Sequence, residues 1–243
     1  MKNQYFGDFG DYQKFSLLKH LRDFGGFRIL VHWMKTKDDG TRDGKHIAYL
    51  EKPQTWDGYD KDVYYFLKAH RDKNERDLAL FENSAHALGI SFANDHIEDS
   101  ANRLRLMESL SKDKNSEIVF FDPDNGIEVK SMTEQNKHKY VLWSEIDTAY
   151  RSEKSVLIYQ HFSRMNRDKF IDEKVKDMVV HFSIEPFVIQ VKHSVYFLLP
   201  QKKHVMKIKK ALQDYNNSWK TLTTITDPYT SKSSRFEPLK SPL

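Results

Sequence analysis

The chain predicts an α/β fold of three layers, a mostly parallel sheet with helices on both faces and an antiparallel strand at the end. Three observations carry that expectation. Short runs rich in β-branched and aromatic residues alternate with longer amphipathic segments through most of the 243 residues, the pattern of parallel strands joined by crossover helices. The last two apolar runs, IEPFVIQV and SVYFLL, are separated only by Lys192-His193, so they read as a hairpin that turns one strand against the others. No Pro/Gly/Ser-rich linker interrupts the chain, and its length is sufficient for one full core. A single domain over residues 1–226 is therefore expected, with a flexible polar tail over 227–243.

In chain order, Phe15, Leu18 and Leu21, with Leu17 and Phe24, fall at helical spacing, and Gly25-Gly26 stops that helix before the strand-like FRILVHW. Residues 35–60 form a polar stretch in which only HIAYL reads as a short strand. A loop of that length in a compact domain usually has a task. Residues 60–88 read as one or two helices, ISFAND as a strand, IEDSANRLRLMESL as an amphipathic helix and EIVFF as a buried strand. YVLWSEIDTAY is expected to be helical, SVLIYQ a strand and NRDKFIDEKVKDMVV a helix; after the hairpin, Pro200 opens a last helix through Tyr215.

The formal charge of +4 and a pI near 8.9 arise from dense charges of both signs, so the excess is a weak pointer to a polyanion. The chain has no cysteine, which excludes disulfides, thiolate zinc sites and thiol nucleophiles and gives no reason for an oxidising compartment. No run approaches the roughly 18 apolar residues of a membrane span, and the opening residues lack a signal-peptide core. A cytoplasmic protein without a membrane segment is the expectation.

Three segments concentrate chemistry. In FFDPDNGIE, residues 120–128, an apolar run ends in Asp122-Pro123-Asp124-Asn125-Gly126, placing acids and an amide at a strand's carboxyl end, where open α/β sheets bind ligands. The same residues also make an ordinary turn. In Gly7-Asp8-x-Gly10-Asp11-x-x-Lys14, the glycines permit close backbone approach to a ligand, while Lys14 can reach a phosphate or orient a carboxylate; either aspartate alone would serve as a helix cap. Gln160-His161 and Asn94-Asp95 close two other strands and add polar groups to the same crevice. Arg164, Arg167 and the lysines at 202, 203, 207, 209 and 210 could contact phosphates, although the terminal-helix lysines read first as a solvated face.

Residues 7–14 resemble the Gly-Asn-x-Ala-Asp-x-x-Lys opening of the bacterial large-subunit ribosomal RNA adenine methyltransferases, where a helix and a buried strand also follow. Asp122-Pro123-Asp124-Asn125 fall where that family has Asp-Pro-Pro-Tyr, and the order of elements is similar over most of residues 7–215. The resemblance implies a Rossmann-like, class I methyltransferase-like fold, S-adenosylmethionine as cofactor, RNA or DNA as partner, and methyl transfer to a base amino group. Lys14 and Asp122 are the carried-over catalytic positions, with Asp124 and Asn125 beside them and no metal required. Gly7, Asp8, Gly10, Asp11, Asn94, Asp95, Gln160 and His161 are the candidate cofactor or substrate contacts. Two features depart from the family: Asp124 and Asn125 replace the second proline and the aromatic residue, and LVHWMKTKDDGTRDG has only Gly40 and Gly44 where the family has a glycine-rich cofactor loop.

Two further readings remain open at this point. Asp122, Asp124 and Glu128 are oxygen ligands suited to Mg²⁺ or Mn²⁺, with Gln160 or His161 nearby, which would make the chain a metal-dependent nuclease or phosphodiesterase, for example in defence against foreign nucleic acid. A non-catalytic nucleic-acid-binding module is the third.

Overall fold

In a computed structural model, the structure describes residues 1–38, 44, 46–86, 90–93 and 100–229. The strands are β1 (Ile29–His32), β2 (Ile90–Ala93), β3 (Ile118–Phe121), β4 (Gly126–Ile127), β5 (Tyr140–Val141), β6 (Ser155–His161), β7 (Phe187–Gln190), β8 (Ser194–Leu199) and β9 (Thr224–Thr226). The helices are α1 (Phe9–Asp23), α2 (Pro53–Trp56), α3 (Lys61–Asp72), α4 (Leu78–His86), α5 (Ser100–Lys112), α6 (Trp143–Arg151), α7 (Arg167–Phe182) and α8 (Val205–Trp219). Seven strands form one sheet in the order β2-β1-β3-β6-β8-β7-β9, and β4 and β5 pair separately. Strands β2, β1, β3 and β6 run parallel, whereas β8 is antiparallel to both β6 and β7. The α/β class and the mostly parallel, Rossmann-like sheet are as the alternation predicts.

Strands β1 and β3 are buried along their whole length, which is why they read as unbroken apolar runs rather than alternating ones. Successive side chains serve opposite faces. Ile29, Val31 and Phe120 pack with Phe15, Leu18, Leu67 and Trp219 from α1, α3 and α8. Leu30, Val119 and Phe121 pack with Leu106, Ile146 and Val175 from α5, α6 and α7 on the other face. The chain leaves β1 for β2 on one side and returns to β3 on the other. That reversal makes the carboxyl ends of β1 and β3 the topological switch point, the place where open α/β sheets form a ligand crevice.

Four local expectations are corrected. An antiparallel strand does end the sheet, but it is β9, paired with β7, and not a strand of the hairpin: β8 fills the gap between β6 and β7. The α7 crossover sets β7 one strand-width beyond β6, and the hairpin supplies the missing strand. HIAYL is no strand, because Ala48–Glu51 coil into a 3₁₀ turn. YVLWSEIDTAY is not helical throughout: Tyr140-Val141 pair with β4, and the helix begins at Trp143. The last helix runs from Val205 to Trp219, past Tyr215, because Trp219 is buried with Tyr215 on its inner face. Most of the tail, residues 230–243, lies outside the described residues.

Helices α5 and α6 are tied by a buried pair. Arg103 donates to both carboxylate oxygens of Glu145, at 2.7 and 2.8 Å, and to the carbonyls of Lys137 and Tyr140. Glu145 also accepts from the Leu142 N–H at the start of α6. Removing one member of such a pair strands the other charge without water. Arg103→Met is expected to cost about 3–5 kcal/mol in urea unfolding. Arg151→Met, which breaks an exposed pair with Asp147, should cost less than about 1 kcal/mol.

Candidate functional site

Lys14 projects from α1 to the carboxyl end of β3. Its Nζ donates to Asp122 Oδ2 at 2.8 Å and Asp11 Oδ1 at 3.1 Å, with side-chain exposures of 6% for Lys14 and 3% for Asp122. The ammonium also lies 5.1 Å from the Tyr159 ring centroid and 5.9 Å from that of Trp33. Local sequence explains the placement. Asp11 and Lys14 are three residues apart and share a helix face. Asp8 caps α1 by accepting from the Asp11 N–H at 2.9 Å. Gly7 takes φ +83°, a turn that brings its N–H to Asp11 Oδ2 at 3.2 Å. Gly10 lies in the first turn of α1, where a Cβ would stand 3.2 Å from the Asp8 carboxylate.

The turn after β3 is held from several directions. Asp122 continues the strand, its N–H donating to the His32 carbonyl at 3.0 Å. Asp124 faces the amino nitrogen of Met1 at 2.7 Å and accepts from Thr36 Oγ1 at 2.7 Å. That Met1 nitrogen also donates to the carbonyls of Met34 and Asp122, at 3.2 and 3.4 Å, and Met1 Sδ is 3.6 Å from Lys14 Nζ. Asn125 exposes its side chain and contributes through its backbone, its N–H donating to Lys139. Gln160 accepts from the Ile127 N–H at 2.8 Å and donates to the carbonyls of Asn125 and His161 at 3.2 and 2.9 Å. Gly126, at φ +97°, is what admits it, since a Cβ there would overlap the Gln160 amide.

The structure thus brings Asp11, Lys14 and Asp122 into one buried cluster, with the half-buried Asp8 and Asp124 adjoining it. Gln160 pins the turn with every polar atom engaged inside the protein. His161 sits exposed at the rim, its ring 4.9 Å edge-on from Tyr159. Asn94 and Asp95 lie outside the described residues. Asp122, Asp124 and Glu128 are not gathered around a common point: Lys14 holds the first, Met1 and Thr36 the second, and Glu128 accepts the Trp143 N–H at 2.7 Å as a cap on α6. Among the described residues, no three His, Asp or Glu side chains are grouped to hold a metal ion. Met1, Trp33, Thr36 and Tyr159 join the site without having been foreseen. Tyr159 was legible as the residue two before His161 on the same strand face; for Met1 no sequence signal exists. Met34, the second residue after β1, adopts a left-handed φ of +49°, a conformation more usual for glycine.

The buried Asp11 and Asp122 and the half-buried Asp8 outnumber the single Lys14 ammonium among them, and the imbalance governs their protons. Burial works against the Lys14 ammonium, but the charges of Asp122 and Asp11 overcome it and hold its pKa above the ordinary value. Burial, reinforced by the negative charges of Asp8 and Asp122 and partly offset by Lys14, pushes Asp11 up to about 7. Burial raises Asp8 as well. At Asp124 burial is outweighed by the Met1 ammonium, and the carboxyl is held below its usual range. Burial raises the Tyr159 phenol, which stays neutral.

Compared with family models, with curated proteins and with solved structures, the chain matches none.

Two outcomes test this cluster. Lys14→Met leaves buried carboxylates uncompensated and should cost about 3–5 kcal/mol in urea unfolding, and adding Asp122→Asn should restore part of the loss. Asp11 binds its proton more tightly when folded, so its contribution to stability is complete below its ordinary 3.8 and is lost as pH rises through about 7. The unfolding free energy of the wild type minus that of Asp11→Asn should accordingly fall across that window when measured by urea titration at successive pH values.

Proposed function

We propose that this chain is a nucleic-acid-modifying enzyme that transfers the methyl group of S-adenosylmethionine to an amino group of a base. The observation that carries the proposal is the buried Lys14–Asp122 pair at the crevice between β1 and β3, on the two residues that the resemblance to the adenine methyltransferases marks as catalytic. The parallel sheet closing on the β7–β8 hairpin supports a class I methyltransferase-like fold for the same scaffold.

The residues present fit the amino-acid end of the cofactor. The carbonyls of Met34 and Asp122 and the carboxylate of Asp124 converge on an ammonium, and here that ammonium belongs to Met1, whose thioether lies beside Lys14. Met1 shares its α-ammonium and carbon skeleton with the methionyl end of S-adenosylmethionine, although its carboxyl group is bonded to Lys2 and its sulfur is uncharged, so these acceptors would hold the cofactor ammonium once Met1 withdrew. When bound, the cofactor supplies an electrophilic methyl group.

The chain's own residues account for the rest by positioning and electrostatics. Lys14 fixes the Asp122 carboxylate, whose remaining acceptor capacity can take an N–H of the base amine and aim its lone pair. Trp33 and Tyr159 flank the ammonium and limit water. Asp11, titrating near 7, gives the cluster one carboxyl able to hold the proton released as the amine is alkylated; a proton acceptor works best when its pKa lies near the working pH.

Calorimetric titration with S-adenosylmethionine in the presence of chelator should show saturable binding. Asp122→Asn, which leaves Lys14 paired with Asp11 alone, should lower stability and, assayed at a temperature where urea unfolding shows it folded, lower transfer of labelled methyl groups to RNA or DNA by about 10²–10⁴-fold. Absence of cofactor binding to the wild type, with saturable Mg²⁺ or Mn²⁺ binding in its place, would overturn the proposal.

A further inference from the structure

A second cavity opens at the opposite edge of the sheet, at the amino ends of β1, β3 and β6, where Arg28, Glu117 and Lys154 immediately precede the strands. Its volume is about 770 Å³, within the roughly 300–1,000 Å³ of small-ligand sites. Such sites are mostly apolar, yet apart from the His204 imidazole only charged residues and serines line this one. Its six cations are Arg28, Lys114, Arg151, Lys154, Lys203 and Lys207, set against the three carboxylates of Asp113, Glu117 and Glu153. Arg151 is drawn to Asp147 outside the cavity at 2.7 Å, which still leaves a cationic excess of two.

The pairing inside the cavity is loose where it faces solvent. Glu117 is shared between Arg28 Nε at 3.6 Å and Lys207 Nζ at 3.8 Å, both beyond good hydrogen-bond length. Lys203 meets Glu153 at 3.0 Å with both side chains more than half exposed, a pair of little net worth. The floor is firm by contrast. Lys154, 2% exposed, donates to the carbonyls of Asp113 and Ser116, and buried His204 meets Ser155 Oγ through Nδ1 at 2.8 Å. The 15-residue helix α8 begins at Val205, directly after lining residue His204, and its amino end adds partial positive charge.

We propose that this cavity binds the polyphosphate group of a nucleotide, at a site separate from the Lys14–Asp122 cluster. Exposed cations over a fixed, buried floor match a multiply charged anion, and with the His204 imidazole already engaged by Ser155 the lining offers charge for phosphates rather than a free ring for a base. The lysines at 203 and 207, which the sequence presents as an ordinary solvated helix face, are then ligands.

The test is calorimetric titration with tripolyphosphate, ATP and a twelve-residue single-stranded oligonucleotide at low salt. The wild type should bind tripolyphosphate and ATP saturably, and Lys203→Ala with Lys207→Ala should weaken both by about tenfold or more. Lys169→Ala with Lys176→Ala, an equal charge change on the exposed face of α7, should leave binding unchanged. All four lysines are exposed, and unchanged thermal unfolding would confirm that both variants fold. Failure of tripolyphosphate and ATP to bind, equal weakening in the two variants, or binding of the oligonucleotide alone would each overturn the proposal. The last result would assign the cavity to a nucleic-acid strand.

Discussion

Lys14 is an ammonium in a place with almost no water, and the rest of the architecture is arranged around keeping it paired. An isolated charge at that depth would lose several kcal/mol of hydration. It is tolerated only because Asp122 meets it from the end of β3 and Asp11 from one helical turn away. The contact joins residues 108 positions apart, so it exists only with α1 docked at the carboxyl end of β3. The Asp8 cap and the Gly7 turn set the start of α1, and thereby the height at which Lys14 reaches the sheet. A one-residue slip of that start would rotate Lys14 by about 100° around the helix and leave Asp122 unpaired.

The acidic residues between 122 and 128 have separate tasks. Asp122 neutralises Lys14, Asp124 faces the Met1 nitrogen, and Glu128 caps α6. Gln160 seals the turn by filling the space that Gly126 leaves. Three carboxylates in seven residues suggest a shared cation when only spacing is considered. Once each has a different partner, the same composition describes a rigid turn with one carboxylate aimed at the crevice. The rigidity holds the Asp122 carboxylate in one position beside Lys14, the condition that the proposed methyl transfer would need.

What the sequence reveals follows from how local each feature is. Helix α1, the buried strands β1, β3 and β6, and the β7–β8 hairpin are written in contiguous runs, and Gly25-Gly26 marks a helix end that Gly26 completes at φ +66°. Asp8, Asp11, Lys14 and Asp122 were legible as candidates because each sits beside a recognisable helix start or strand end. The place of β8 inside the sheet was not legible, since hairpin chemistry fixes the direction of a strand but not its neighbours. Nor were β4 and β5, two residues each, whose pairing depends on contacts with Gln160 and the end of β3 rather than on propensity. Met1 and Thr36 are ordinary residues in sequence and acquire meaning only by meeting Asp124.

The two edges of the sheet have opposite electrical character, and this constrains what each can receive. At the carboxyl edge the ammoniums of Lys14 and Met1 stand among the carboxylates of Asp8, Asp11, Asp122 and Asp124, so a phosphate would be repelled there while a neutral base with an amino group would find acceptors. At the amino edge cations are in excess, and phosphates are favoured. Strand β1 alone separates the edges by roughly 13 Å at about 3.3 Å per residue, and buried side chains pack on both faces of the sheet between them. The base and the phosphates of one nucleotide therefore cannot occupy the two sites together. A nucleotide held by Lys203 and Lys207 would be a different molecule from the one whose base meets Asp122, and any influence of one on the other must travel through β1, β3 and β6, which end in both.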